Sequence, residues 1–565
     1  MDSKEDNQIR DWSTALLWPA LAILLLAKLW FTYTRYLNQD EFETLHQGWL
    51  IFSGSIQFRD FNSNHPPLAF SIVALLNYLT NDPVVLVILG RTLTLVSSLI
   101  CLIFIHGIAR CLFNSSAARW AVIGYALNAT FWEWSIEIRT DFAMVMFWLG
   151  GIFLFVSAGK QPKFWQTTLC GIFFGLAFWS NQKVAAMVLP VAVWMFTGGV
   201  DGNWRLKHTF FAVLASLVCC GFYLGVAFYS GSLSHMFAHN FDGALSLIAE
   251  GDYADAKILS VRHALMVDPL FVLLGIGGAF WAVFSDDRNR KSVFAGISAF
   301  WMLPNLFFTP SAYQYFLTSI FPMFAITFGG WMDRLARTWL SRIPYHVHPK
   351  LVAAGMIGLM ICPLIRFSKF INPSLGYQLE VVRLVDEITD ETAKVFDGAG
   401  TQLTRHDAYP FHWVLWKGEL NRYSRNEMPR ILPELIQNRC DLVIDTYRVL
   451  KLPEDEKIQI REKFPVWWGP IRVPGFDSFL PIGQTPVEFE LIHGGIYVTD
   501  QSDLVIDGRP WKSGGFLNRG RHTIAHHSNL QTRIQLRKKT RIDYRLSHLK
   551  PALRQHYLEP LGYQY

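Results

Sequence analysis

Long apolar runs separated by short polar connections fill the chain up to about residue 365, after which the pattern changes. Windows near the bilayer-crossing length of about 20 residues predict transmembrane helices around residues 14–31, 84–108, 120–135, 142–158, 164–179 and 184–197. The same signal recurs at 210–229, 269–284, 293–308, 316–331 and 351–365, for about eleven spans in all. Residues 68–79 are apolar but too short to cross, and are expected to lie as a helix in the outer interface. Beyond residue 366 the sequence becomes mixed and charged. Helix-like segments at 379–388, 430–437 and 454–464 alternate there with strand-like ones at 393–396 and 441–444. Short strands follow at 489–492, 496–499, 504–506, 522–525 and 532–536, with Asp507-Gly508 as a hairpin turn.

The expected architecture is therefore a polytopic α-helical membrane domain over 1–366, whose first outer loop is 34–83, and a soluble domain over 367–565. The soluble domain divides into an α/β part (367–480), a β part (481–540), expected as a small sandwich or half-barrel, and a tail (541–565). Composition agrees: of 565 residues, 51% are hydrophobic and 15% aromatic while only 17% are charged, too apolar for a soluble chain of this length. Basic residues set the orientation. Lys4, Arg10, Arg110, Arg119, Lys160, Lys163, Arg205, Lys207, Arg288, Arg290, Lys291, Arg334, Arg337, Arg342 and Lys350 fall on one side, against Arg35, Arg59, Arg139, Lys183, Lys257 and Arg262 on the other. The positive-inside bias then places the N-terminus in the cytoplasm and the soluble domain outside. The net charge of +6 reflects this loop bias and gives no support for nucleic-acid binding. The seven cysteines form neither a disulfide framework nor a zinc site.

On this map Asp40, Glu41, His65, Arg139, Asp141 and Lys183 all fall on the outer face, although they come from three different loops. Asp40 and Glu41 follow the first span, and the loop returns to the membrane at His65-Pro66-Pro67-Leu68. Charged residues beside a span are costly to place, which makes them candidates for function. Two readings stay open for Glu41: a partner of Asp40, or an acidic residue favoured at a helix N-terminus. Asp141 is either a site residue or a local ion pair with Arg139. Lys183, or Arg262 with His263, would supply cations for an anionic group, and each also reads as an ordinary loop charge. Arg91, inside its span, calls for a partner in Glu133 or Glu137. The basic run at 537–541 reads either as a solvated edge or as a contact for anionic head groups. No Gly-rich loop opens a helix after a strand, so a nucleotide-sugar donor has no support. No carboxylate and histidine set has metal-ligand spacing.

Asp40-Glu41, the run from Arg59-Asp60-Phe61 through His65-Pro66-Pro67-Leu68, Glu137-Ile138-Arg139-Thr140-Asp141 and Asn181-Gln182-Lys183 together resemble the GT-C glycosyltransferases. The nearer branch is that of protein O-mannosyltransferases and aminoarabinose transferases, with His65 standing where the mannosyltransferases carry His and the aminoarabinose transferases Lys. The resemblance covers roughly the first 200 residues. It implies a polyprenyl-phosphate sugar donor, a site on the outer face, and a first-loop Asp, here Asp40, that contacts the acceptor or acts as base, with Glu41 beside it. It also implies that His65, Arg139, Asp141, Lys183 and Arg262 are candidates for binding substrate and its phosphate. No cofactor or metal is expected, although some relatives need a divalent cation. The acceptor is a lipid, a polysaccharide or a protein, and a bacterial inner membrane with a periplasmic site suits the compact loops. The competing classes are a transporter or flippase and a glycan-binding membrane protein. A transporter would show repeated halves with broken helices meeting at the membrane centre.

Overall fold

The computed structural model describes residues 19, 21–159, 162–202, 204–239, 254–286, 288–308, 313–339, 374–480, 485–526 and 532–540. In chain order the helices are α1 (Leu21–Thr34), α2 (Gln39–Phe52), α3 (Leu68–Ala74), α4 (Pro83–Leu112), α5 (Ser115–Ala126), α6 (Ala129–Trp134) and α7 (Thr140–Ser157). Next come α8 (Phe164–Ser180), α9 (Val184–Phe196), α10 (Leu206–Tyr229), α11 (Leu233–Phe237), α12 (Ala254–Val267), α13 (Pro269–Phe284), α14 (Arg290–Phe308) and α15 (Leu317–Trp339). The remainder are α16 (Ser374–Ile388), α17 (Lys417–Ser424), α18 (Ile431–Gln437), α19 (Tyr447–Leu450) and α20 (Glu454–Lys463). The chain packs as two units, one of Met1–Arg35, Ser63–Ile72 and Ile88–Asn372, the other of Tyr36–Asn62, Val73–Val87 and Pro373–Tyr565.

The first unit is helical. Among the described residues, Pro83–Leu112, Thr140–Ser157, Leu206–Tyr229 and Gln314–Thr338 are long and apolar enough to cross a membrane. A fifth span results if Lys257–Val267 and Pro269–Phe284, bent by 101° at their junction, count as one. By length and composition this is fewer than the eleven that hydropathy suggests. Helices α8, α9 and α13 lie at the predicted positions but have only 17, 13 and 16 residues, and the predicted span at 351–365 lies outside the described residues. The single span expected at 120–135 is instead two helices. Asn128 caps α6 through Oδ1, 3.1 Å from the Phe131 N–H, and the Asp268 carboxylate accepts the Ala129 and Thr130 N–H groups at 2.8 and 3.3 Å. An apolar run hides such a break, because the capping residues are one Asn inside it and one Asp far along the chain.

Aliphatic and aromatic side chains from α4 to α15 form one continuous core, including Ile105, Trp148, Ile152, Phe294 and Phe324. Helix α10 leaves Phe210, Leu217, Val218, Phe222 and Phe228 exposed, an apolar surface that suits lipid rather than water. Helices α8 and α10 approach closely at Gly171, where a Cβ would sit 1.9 Å from the Ala212 carbonyl oxygen.

The second unit combines α2 with the α/β and β segments of the C-terminal part. Strands β1 (Lys394–Phe396), β2 (His406–Asp407), β3 (Leu442–Ile444), β4 (Val466–Trp468) and β5 (Ile471–Arg472) form one sheet in the order β2-β1-β3-β5-β4. Neighbours β2, β1 and β3 run parallel, while β5 is antiparallel to β3 and β4. Helices α16, α18 and α20 cover the positions where helices were expected. Beyond them, β6 (Gly475–Leu480), β7 (Val487–Leu491), β8 (Gly495–Val498), β9 (Leu504–Ile506), β10 (Arg509–Pro510), β11 (Phe516–Leu517), β12 (Gly520–His526) and β13 (Thr532–Lys538) form two four-stranded sheets, β10-β9-β12-β7 and β11-β8-β13-β6. Phe476, Leu491, Tyr497, Ile524, Ile534 and Leu536 lie in their shared core, so this part is the expected sandwich. The hairpin turn falls at Asp507-Gly508, both with positive φ (51° and 75°), and joins β9 to β10.

The contact at Gly171 is testable. Gly171→Val is expected to lower the thermal midpoint of the detergent-purified protein by overpacking α8 against α10, at a cost of at least about 1–3 kcal/mol. Gly221→Ala, on the open side of α10 with nothing within 4 Å of its Cβ, is expected to leave the midpoint unchanged. Equal behaviour of the two variants would show that the close approach is wrong.

Candidate active site

The segment between α6 and α7 carries Glu137 and Arg139 and is built around a buried carboxylate. Glu137 is fully buried in the helical unit, and Arg35, at the end of the first helical stretch, meets its Oε1 from Nη2 at 2.7 Å. Arg35 also donates through Nη1 to the Glu133 carbonyl, tying this segment to the end of α6. The other oxygen of Glu137 lies 3.5 Å from Arg139 Nη1. Arg91 donates to the Thr32 carbonyl at 2.9 Å, and Arg35 is a partner of Glu137 that the sequence did not suggest. Sequence reasoning missed it because Arg35 reads as a loop charge at the mouth of a span.

Arg139 is the N-cap of α7 and stands in extended conformation, with φ −136° and ψ 162°. Its guanidinium lies 3.6 Å from the centroid of the Tyr315 ring, and its Nε is 3.6 Å from the Asp141 carboxylate. Asp141 sits in the first turn of α7, where the helix dipole favours a negative charge. Asn181, the C-cap of α8, extends Nδ2 to Thr140 Oγ1 at 3.1 Å and to Asp141 Oδ1 at 3.4 Å, and its own Oδ1 accepts the Lys183 N–H at 3.2 Å. The Lys183 ammonium lies 5.0 Å from the Tyr315 centroid and 5.5 Å from that of Phe316. Two cations from different loops thus share one aromatic ring, an attraction worth about 0.5–2 kcal/mol each. Tyr315, in the 3-10 turn Gln314–Phe316, joins the candidate site, a place that an aromatic residue at a membrane surface does not announce in the sequence.

His65 belongs to the same cluster. Gln182 anchors the preceding residue by donating to the Asn64 carbonyl at 3.0 Å. Burial first, then the positive charges of Lys183 and Arg139, hold the His65 imidazole down to about 4 against the opposing pull of Asp141. At neutral pH it is an uncharged ring among cations. A cavity of about 30 Å³ opens beside the cluster, lined by Trp134, Glu137, Arg139, Asp141, Tyr315 and Thr318 among others.

The structure therefore brings His65, Arg139, Asp141 and Lys183 together. Arg262 is exposed on α12 and makes none of these contacts, while its neighbour His263 is buried with Nε2 3.8 Å from Glu133. Asp40 and Glu41 belong to the second unit, in the first turn of α2. Glu41 is buried, and its side chain accepts the Asn38 N–H at 2.9 Å, closing a capping box with Asn38. Asp40 is half-buried, its N–H donating to Asn38 Oδ1 at 3.2 Å and its carbonyl accepting from Thr44 Oγ1 at 2.7 Å.

A family model for dolichyl-phosphate-mannose-protein mannosyltransferases matches residues 64–224, the stretch that contains His65, Arg139, Asp141 and Lys183. Among solved structures, ArnT from Cupriavidus metallidurans bound to undecaprenyl phosphate superposes with a TM-score of 0.51 at 14% identity, over 90% of this chain and 98% of that one. The chain has the GT-C fold. A second GT-C structure, the oligosaccharyltransferase AglB from Archaeoglobus fulgidus in complex with an inhibitory peptide and a dolichol-phosphate, matches with a TM-score of 0.52 at 12% identity, covering 94% of this chain and 77% of that one. The matched family and both GT-C relatives are glycosyltransferases. A comparison with curated proteins by sequence found no match.

Removing Arg35 takes from the buried Glu137 carboxylate its cation at 2.7 Å. Arg35→Leu is expected to destabilise the helical unit by about 3–5 kcal/mol, and Arg35→Leu with Glu137→Leu to recover most of that loss in a detergent melting series. A single variant as stable as wild type would sink the ion-pair reading. His65 gives a pH signature of definite sign. Its proton affinity is lower folded than unfolded, so its contribution to stability is complete above pH 6.5, falls as pH drops toward about 4, and is level below that. Wild type is expected to lose more stability than His65→Gln between those values, and parallel melting profiles would count against a neutral His65.

Proposed function

We propose that this protein transfers a sugar from a polyprenyl-phosphate donor to an extracytoplasmic acceptor, with inversion at the anomeric carbon. The observation that carries the reading is the pairing of Arg139 and Lys183 on the Tyr315 ring, with a neutral His65 and the Asp141 carboxylate in the same cluster. Such a donor set suits an anion, because guanidinium and ammonium groups held in place by an aromatic ring form charge-assisted hydrogen bonds to a phosphate. The family model over the same residues and the lipid phosphates bound to ArnT and AglB point to the same ligand chemistry.

In this mechanism Arg139 and Lys183 hold the lipid phosphate and stabilise the charge that grows on it as it leaves. His65 donates one neutral N–H to a phosphate oxygen, and Asp141 orients Arg139. Asp40 is the base: it takes the proton of the acceptor hydroxyl as that oxygen bonds to the anomeric carbon and the bond from that carbon to the phosphate oxygen breaks. Glu41 keeps Asp40 in place by capping α2. No part is assigned to Arg262 and no cofactor to the reaction. About eleven spans, a cytoplasmic N-terminus, a periplasmic site in a bacterial inner membrane and a soluble domain beginning near residue 367 complete the reading, with a lipid, a polysaccharide or a protein as acceptor.

With a panel of radiolabelled undecaprenyl-phosphate sugars and envelope extract as acceptor, Asp40→Asn is expected to cut turnover by about 10²-fold or more. Arg139→Ala is expected to weaken binding of undecaprenyl phosphate itself by about 10-fold or more, the scale of a lost charged hydrogen bond. Full turnover by Asp40→Asn removes it as the base, and unchanged lipid-phosphate affinity in Arg139→Ala removes the cluster as the phosphate site.

A further inference from the structure

Within the second unit, the polar contacts of residues 36–62 run to the C-terminal α/β part. Leu37, just before the α2 N-cap, exchanges two hydrogen bonds with the Gln378 side chain on α16, at 2.6 and 2.9 Å. At the far end of the same stretch, Asn62 donates from its side chain to Glu419 Oε1 at 2.9 Å and from its backbone to the Phe411 carbonyl at 2.9 Å. Between them, the loop after β1 fits directly against α2. Gly400 has φ +84°, and a Cβ there would lie 3.0 Å from His46 Cβ, 3.1 Å from the Phe42 carbonyl oxygen and 3.2 Å from Glu43 Cα. Asp397 holds that loop by accepting the N–H groups of Ala399 and Gly400, each at 2.9 Å, and that of Thr401.

His46 lies at the centre of this contact. Its Nδ1 is 2.8 Å from the Leu403 carbonyl, which can only accept, so that nitrogen carries a proton. Its Nε2 is 3.0 and 3.2 Å from the two oxygens of Asp407, on β2, whose Oδ1 also accepts from the Gln402 amide at 2.6 Å. The ring stacks on Trp49 at 5.9 Å and meets the edge of Trp413 at 4.8 Å. Burial works against a charge on His46, and the Asp407 carboxylate more than offsets it, so the imidazolium is favoured beyond its ordinary range.

Asp40 and His46 are six residues apart on one helix. That places them about 9 Å apart along the axis and about 120° apart around it. His46 therefore acts on Asp40 only through the backbone of α2. A carboxylate held about 5–6 Å from a helix axis moves about 1 Å when the helix rotates by about 10°, and a 1 Å misplacement can cost about 10²-fold in rate.

We propose that the C-terminal α/β part is a clamp that fixes the rotation of α2, with the His46–Asp407 pair as its central contact, and that His46 is thereby a positioning residue for Asp40. This rests on the reading of Asp40 as the base.

The test uses the full-length protein in nanodiscs and compares His46→Ala, Asp407→Asn and Asp40→Asn. His46→Ala is expected to lower kcat by about 10- to 10²-fold with undecaprenyl-phosphate sugars while the donor KM and the Kd for undecaprenyl phosphate stay within about 2-fold. Amide exchange along α2 is expected to quicken while that of α4 and α7 stays as in wild type. Asp407→Asn, which keeps the shape of the pair, is expected to give a smaller loss in the same direction and decides the matter if His46→Ala does not fold. A normal kcat in His46→Ala beside an inactive Asp40→Asn overturns the clamp and spares the base. Full activity in Asp40→Asn overturns the base reading on its own account. Unchanged α2 exchange in the His46 variant overturns the clamp whatever the activity.

Discussion

A carboxylate buried among apolar helices costs several kcal/mol unless a cation and hydrogen bonds meet it there, and Glu137 sits under that constraint. Arg35 meets it at 2.7 Å, and the remaining oxygen faces Arg139 at 3.5 Å. The rest of the cluster follows from this pairing. With Glu137 committed to Arg35, Arg139 faces Asp141 and the Tyr315 ring, and the second cation, Lys183, finds the same ring from another loop. Charge in this unit is thus arranged in a chain in which each group limits where the next can stand. The broken helix between α5 and α6 belongs to the same arrangement, since the Asp268 carboxylate that caps α6 helps to set where Glu133 to Arg139 begin.

The class of the molecule was legible from long-range composition, and the candidate site from a few charged residues beside apolar runs. His65, Arg139, Asp141 and Lys183 stood out because charge next to hydrocarbon is expensive, and they come together from three different loops. Tyr315 did not stand out, because an aromatic residue at a membrane surface is ordinary and its role lies only in which cations approach it. Arg35 was misread for a related reason: hydropathy says where a charge sits but not which way its side chain turns. The break at Asn128 was lost inside an apolar window, since its second cap comes from Asp268, 139 residues from Ala129. Short strands such as β2, β5, β10 and β11, of two residues each, have no period to read.

The α/β part uses its sheet in an unusual direction. In open α/β sheets the crevice beyond the carboxyl ends of parallel strands is the customary place for a ligand. Here the loop after β1 has glycines at 398 and 400, both with positive φ, which by composition would suit a phosphate. Its backbone N–H groups are instead taken by Asp397 from within, and its outer surface by α2. A helix from the start of the chain occupies the position of a ligand, and the sheet is its binding site.

That arrangement has a consequence for how the protein is made. His46 and Asp407 are 361 residues apart in sequence. At about 5–20 residues per second the ribosome needs roughly 20 to 70 seconds to deliver the second after the first. Throughout that interval α2 has been synthesised but lacks the partner of His46. Long-range closure of this kind is slow and comes late, so the helix that carries Asp40 is among the first parts of the molecule to be synthesised and among the last to reach its final place. A chain interrupted before residue 407 would hold every residue of the cationic cluster and still lack the partner that fixes α2, so the order of synthesis makes completion of the C-terminal part a condition for assembling the whole.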